Sequence, residues 1–95
     1  MNITVNFLLQ VTRILHVGNY DDIELSEIYN FMSTVDNEIL NHYLNSKSIL
    51  AYDSDLELYI ELIDVLVNIY EEDEEYEKCK RLLEKKEEAI NILKQ

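Results

Sequence analysis

The sequence predicts an all-α fold, a compact bundle of four to five helices. Three observations predict it. The chain has no proline and one glycine in 95 residues, whereas an all-β fold needs many turns, which draw on Gly, Pro, Asn and Asp. Hydrophobic residues make up 47% of the chain. That is enough for one core and too much for a disordered acidic tail. Apolar residues also recur at helical spacing in one segment after another. The length suits a single domain, residues 1–95, because the usual unit is roughly 100–200 residues. A chain this short buries about two-thirds of its extended surface, so a modest stability margin is expected.

Residues 3–17 form the first predicted helix. Phe7, Leu8, Val11, Ile14 and Leu15 follow the i, i+4, i+7 rule. Over residues 2–8 the alternation of Ile3, Val5 and Phe7 with Thr4 and Asn6 also fits a strand. Gly18 ends the segment, as glycine at C′ usually does. A second helix is predicted over 22–32, starting from Asp21-Asp22, with Leu25, Ile28, Tyr29 and Met32 on one face. A third is predicted from about 35 to 50. Val35, Ile39, Tyr43 and Leu44 mark its buried side, and Thr34 or Asp36 would cap it. The polar run Asn45-Ser46-Lys47-Ser48 would break it early.

The central helix is predicted over residues 54–70. Ser54-Asp55-Leu56-Glu57 reads as a capping box, in which Ser and Glu each bond the other's backbone N–H. From there to Tyr70 nearly every residue is apolar. The exceptions, Glu57, Glu61, Asp64 and Asn68, fall on one narrow stripe of a 3.6-residue helix. A helix apolar around most of its girth is one that its neighbours wrap, leaving the polar stripe in water.

A C-terminal helix is predicted over residues 74–94. Its expected seam is Tyr76, Cys79, Leu83, Ile90 and Leu93, with Leu82 and Ala89 beside it. Lys86 falls within that seam and must snorkel or lie near the edge. Glu74–Lys78 and Glu77–Arg81 are i, i+4 pairs in the favourable order, each worth about 0.2–0.5 kcal/mol.

The join Glu71-Glu72-Asp73-Glu74-Glu75 has no Gly or Pro, so the last two helices could be continuous. A turn is favoured on electrostatic grounds. Adjacent acids are poor at a helix C-terminus, and acids around Asp73 suit a new N-terminus. Residues 62–83 resemble half of a tetratricopeptide repeat, with Leu66, Tyr70, Tyr76 and Leu83 at matching offsets. Val67 stands where that family has Gly, Lys86 stands where it has Ala, and the chain holds no second copy. The resemblance covers about a quarter of the chain and implies a helical hairpin.

The net charge is −12. It opposes binding to nucleic acid or an anionic membrane, because phosphates attract Lys and Arg. It favours a basic protein partner, captured quickly by electrostatic steering. The charge is also local: residues 1–13 carry +1, residues 14–77 carry −16 and residues 78–95 carry +3. The one cysteine, Cys79, excludes an intramolecular disulfide and suits a reducing compartment. Met1 is followed by no basic n-region and no small-residue cleavage site, so no signal peptide is expected. The apolar stretch from Leu56 to Tyr70 is too short and too charged to cross a bilayer. These features together predict a cytoplasmic protein.

Catalytic constellations are wanting. A helical-bundle di-iron site needs two Glu-x-x-His motifs. Here His42 follows Glu38 by four residues, and His16 has no such partner. Asp53-Ser54-Asp55-Leu56-Glu57 begins like a calcium loop but lacks the glycine at position 6. Cys79 lies on an apolar face, where a buried inert thiol is the commoner case. No Gly-rich loop could cradle a phosphate. Neither histidine has an evident partner for acid–base work. The expectation is no enzyme, no cofactor and no metal.

The candidate site is the acidic surface from 57 to 75: Glu57, Glu61, Asp64, Glu71, Glu72, Asp73, Glu74 and Glu75, with Tyr70 and Tyr76 bracketing the turn. Such dense like charge costs stability, which a solvated face could accept for solubility alone. Aromatics beside charge also resemble interface hot spots. Two functions fit. One is a small acidic inhibitor of a basic partner, such as an immunity protein or antitoxin for a nuclease toxin, or a phage anti-defence protein, acting by charge mimicry of nucleic acid. The other is a structural or adaptor module acting through a homodimer or helix docking.

Overall fold

Helix ends decide how this chain turns back on itself. The computed structural model describes residues 3–40 and 55–94. Four helices run through them: α1 Ile3–Val17, α2 Asp22–Thr34, α3 Asp55–Glu72 and α4 Tyr76–Leu93. A helical turn at residues 37–40 follows α2. Among the described residues there is no strand, and the ambiguous opening segment is helical from Ile3.

Gly18 stops α1. Its φ is +73°, and its N–H donates to the Ile14 carbonyl at 3.0 Å. This is the left-handed cap that glycine forms without steric cost. Asp21 starts α2 by accepting the Glu24 N–H at 2.7 Å. Asp36, and not Thr34, caps the turn at 37–40: its carboxylate accepts the Ile39 N–H at 3.1 Å. Thr34 instead donates its hydroxyl back to the Asn30 carbonyl. Tyr43, Leu44, the polar run 45–48 and the Ser54 half of the expected capping box lie outside the described residues.

α3 is the central helix. Leu56, Leu58, Tyr59, Leu62, Ile63, Leu66, Val67 and Tyr70 are all buried. They point around most of its circumference, so neighbours are needed on several sides, and α1, α2 and α4 all pack against it. Leu8 and Val11 enter the same core from α1, and Leu25, Ile28 and Met32 from α2. α2 lies antiparallel to α3 and is fastened by two tyrosines. The Tyr59 hydroxyl donates to the Met32 carbonyl, and the Tyr70 hydroxyl donates to the Leu25 carbonyl at 3.4 Å. No described helix is long and apolar enough to cross a membrane.

The inward face of α4 differs from the expected seam. Cys79, Leu82, Ala89 and Ile92 are buried, while Tyr76 and Leu83 are 63% and 46% exposed. The cause is visible in the sequence. Leu82–Leu83, Ala89–Ile90 and Ile92–Leu93 are adjacent apolar pairs about 100° apart on the wheel, and α4 packs against both α3 and α2. Serving two neighbours turns the first member of each pair inward. Lys86 does reach out of the core, to Asp64 at 2.7 Å. Lys78 pairs with Glu75 at 3.1 Å and not with Glu74, and among the described residues no ion pair joins Glu77 to Arg81.

Candidate functional site

The turn between α3 and α4 carries the acids, and its geometry follows from unsatisfied helix carbonyls. Glu74 has φ +59°. The Glu75 N–H donates to the Tyr70 carbonyl at 2.8 Å, and the Glu74 N–H donates to the Glu71 carbonyl at 3.1 Å. Those two bonds define a Schellman motif, with glutamate at the C′ position where glycine is usual. The chain reverses there, so α3 and α4 form the helical hairpin that the repeat resemblance implied. Tyr76 and Leu83, two of the four residues carrying that resemblance, are exposed.

The expected site residues separate into three groups. Glu71, Glu72, Asp73, Glu74, Glu75 and Tyr76 are all exposed and lie together at the turn. Tyr70 contributes little to that surface. It is only 4% exposed, and its ring meets Tyr29 edge-on with centroids 5.5 Å apart. Lys78 lies over the Tyr70 ring at 4.8 Å from its centroid. Burial, then the negative charge of Glu75, then Tyr29, Asp73 and Asp22, push the Tyr70 hydroxyl up to about 12. Tyr70 therefore braces the turn from beneath.

Glu57, Glu61 and Asp64 form the third group. Glu57 lies about 21 Å along α3 from Glu71, at 1.5 Å per residue, so the stripe is not one compact site. Asp64 is engaged by Lys86. Glu61 and Asp64 both line a groove of about 320 Å³ between α1 and α3, with Thr12, Leu15, exposed His16 and Val65. His42 and residues 53–54 of the calcium-like run lie outside the described residues.

One acid was missed by sequence reasoning. Asp22, at the start of α2, lines a cleft of about 230 Å³ together with Asp73 and Glu75 of the turn and with Ser26, Tyr70 and Lys78. The antiparallel packing of α2 on α3 brings it there across about fifty residues of chain. Asp21 and Glu24, both exposed, flank it. The acidic end of the bundle thus draws on two separate segments. Nothing in local spacing could have signalled that, although the acids at the α2 N-terminus were legible as capping charges.

Elsewhere the chemistry is bland. Cys79 is buried, with its thiol donating to the Val67 carbonyl at 3.5 Å. Burial, helped by the charge of Glu71, raises its pKa, which suppresses the thiolate. Among the described residues no group of three His, Cys, Asp or Glu side chains could hold a metal ion. The groove between α2 and α4, about 400 Å³, mixes Lys78, Lys80, Arg81 and Lys85 with Glu77, Glu84 and Glu88. Four bases against three acids make the groove nearly neutral, and Lys85 is paired with Glu88 at 2.9 Å. Compared with known proteins, the chain matches no protein-family model, no curated protein and no solved structure.

Proposed function

We propose that this chain is a small acidic inhibitor that binds a basic protein partner through the α3–α4 end of the bundle. An immunity protein or antitoxin for a nuclease toxin, or a phage anti-defence protein, is the kind of molecule meant. The observation that carries the reading is the convergence of Asp22 with Asp73 and Glu75 around one cleft, with Glu71, Glu72 and Glu74 exposed in the same turn. Carboxylates gathered at one end of a bundle would occupy sites that a nucleic-acid enzyme reserves for phosphates, and so exclude the substrate. No catalytic step, cofactor or metal belongs to this reading. The same charge disfavours nucleic acid and anionic membrane as direct ligands. An acidic surface meeting a basic cleft associates at roughly 10⁸ M⁻¹s⁻¹ or faster at low salt.

The test is capture from a cell lysate at low salt, elution at high salt, and identification of what elutes. A nuclease or nucleic-acid-binding protein is expected, with an association rate that falls steeply with salt. The triple reversal Glu71→Lys, Glu72→Lys and Glu74→Lys should abolish capture. Glu75 is left in place because it holds Lys78. Lysines at the end of α3 suit the helix dipole, so folding should be preserved, as circular dichroism would check. Capture undiminished in the triple variant would sink the proposal.

A further inference from the structure

α4 carries apolar residues on more of its circumference than the fold uses. Leu82, Ala89 and Ile92 face the core, whereas Tyr76 is 63% and Leu83 46% exposed. Half-buried Ile90 continues the same line. These three residues are spaced by seven, the repeat that keeps a helix edge facing a partner helix. Together they span about 21 Å. Exposed Lys80 and Glu87 run beside them, also seven apart. A shallow depression of about 500 Å³ follows this edge, lined by Tyr76, Lys80, Leu83 and Glu87 among others.

We infer that a second copy of this chain covers this edge, with the two α4 helices antiparallel about a two-fold axis near Leu83. Charge complementarity selects that occupant and that direction. An antiparallel pair centred on Leu83 places Tyr76 opposite Ile90 of the second copy. It places Lys80 opposite Glu87 of the second copy, and the symmetry makes the contact twice. A parallel pair would leave Lys80 and Glu87 of the two copies about 10 Å apart along the helix, with no such contact. Neither residue is held in an ion pair among the described residues, so both are available. The rest of the molecule argues in the same direction. Residues 14–77 carry −16, so two copies repel almost everywhere. α4 itself has five bases against four acids, so two copies meet along it with less repulsion than at the acidic middle of the chain. Tyr76 then belongs to this edge, and the two acidic ends point away from each other at opposite ends of the pair. The inference concerns a different face from the cleft of the proposed inhibitor site, with Glu71 at the border of the two, and each stands if the other fails.

Sedimentation velocity on the pure protein tests it, from roughly 5 to 500 µM at about 0.15 M salt. A reversible monomer–dimer equilibrium within that range is expected. Lys80→Glu alone, or Glu87→Lys alone, creates two like-charge contacts and should weaken the dimer roughly five- to tenfold. The double variant Lys80→Glu with Glu87→Lys exchanges the signs and should return the constant to within about twofold of the parent. Leu83→Lys should leave a monomer with unchanged helix content, since the residue is half exposed. Three outcomes would overturn the inference: a monomer at every concentration, a dimer indifferent to Leu83→Lys, or charge reversals whose combination fails to recover.

Discussion

Glu74 holds a backbone conformation that ordinarily falls to glycine. With φ at +59°, its Cβ crowds the following carbonyl, and an L-residue there costs roughly 1–2 kcal/mol relative to the right-handed region. The bonds from Glu74 and Glu75 back to Glu71 and Tyr70 hold it in place. In the sequence only the charges mark this turn, because the usual signal, a glycine, is missing. Replacing Glu74 with Gly should therefore raise stability by about 1 kcal/mol, measured as a shift of the urea midpoint at constant m. Glu74→Ala is the control. It removes the charge and keeps the Cβ, so it should recover only the smaller electrostatic part. If Ala gains as much as Gly, the cost at this position is acidic repulsion and the backbone argument is wrong.

At the level of helices, the α2–α3 contact has an asymmetry that single substitutions can read. The last four carbonyls of a helix lack an intrahelical partner, and that of Met32 is one of them. It is served by the hydroxyl of fully buried Tyr59. Tyr59→Phe strands that carbonyl away from water and should cost about 1–3 kcal/mol. Tyr70→Phe should cost less. Its bond to Leu25 is long, at 3.4 Å, and the Leu25 carbonyl sits inside α2, where the helix ladder already serves it. Equal losses in chemical denaturation would refute this ranking. The same contact explains what the sequence could and could not convey. α3 was legible because apolar residues nearly encircle it. The rotation of α4 was not, because Leu82–Leu83 and Ala89–Ile90 offer two faces of nearly equal hydrophobicity, and α2 decides between them. The acids of 71–75 were legible as neighbours in sequence. The pairing of Asp64 with Lys86 across 22 residues, and the arrival of Asp22 at the turn, depend on how antiparallel helices register and leave no local trace.

For the whole molecule, charge sets the response to salt, and its sign can be argued. Three ion pairs attract within the described residues: Lys78–Glu75, Lys85–Glu88 and Lys86–Asp64. Surface pairs of this kind are each worth about 0–1 kcal/mol and weaken as salt rises. Against them stand twenty acids and eight bases, with the densest run of acids folded against Asp22. Repulsion between like charges also weakens once their spacing exceeds the Debye length, about 30 Å at 0.01 M and 8 Å at 0.15 M. Unfolding spreads the acids apart, so screening favours the folded state more than it costs the three pairs. Stability should rise by about 1–2 kcal/mol between 0.01 and 0.5 M NaCl, read from thermal or urea midpoints. The triple reversal at Glu71, Glu72 and Glu74 should remove most of that slope. A flat or falling profile in the parent would mean that the acidic end stores no repulsion. Capture of a basic partner must move the other way over the same range, because there the acids attract. Opposite salt slopes for stability and for capture, both removed by the same three substitutions, would tie the cost of the acidic end to its use.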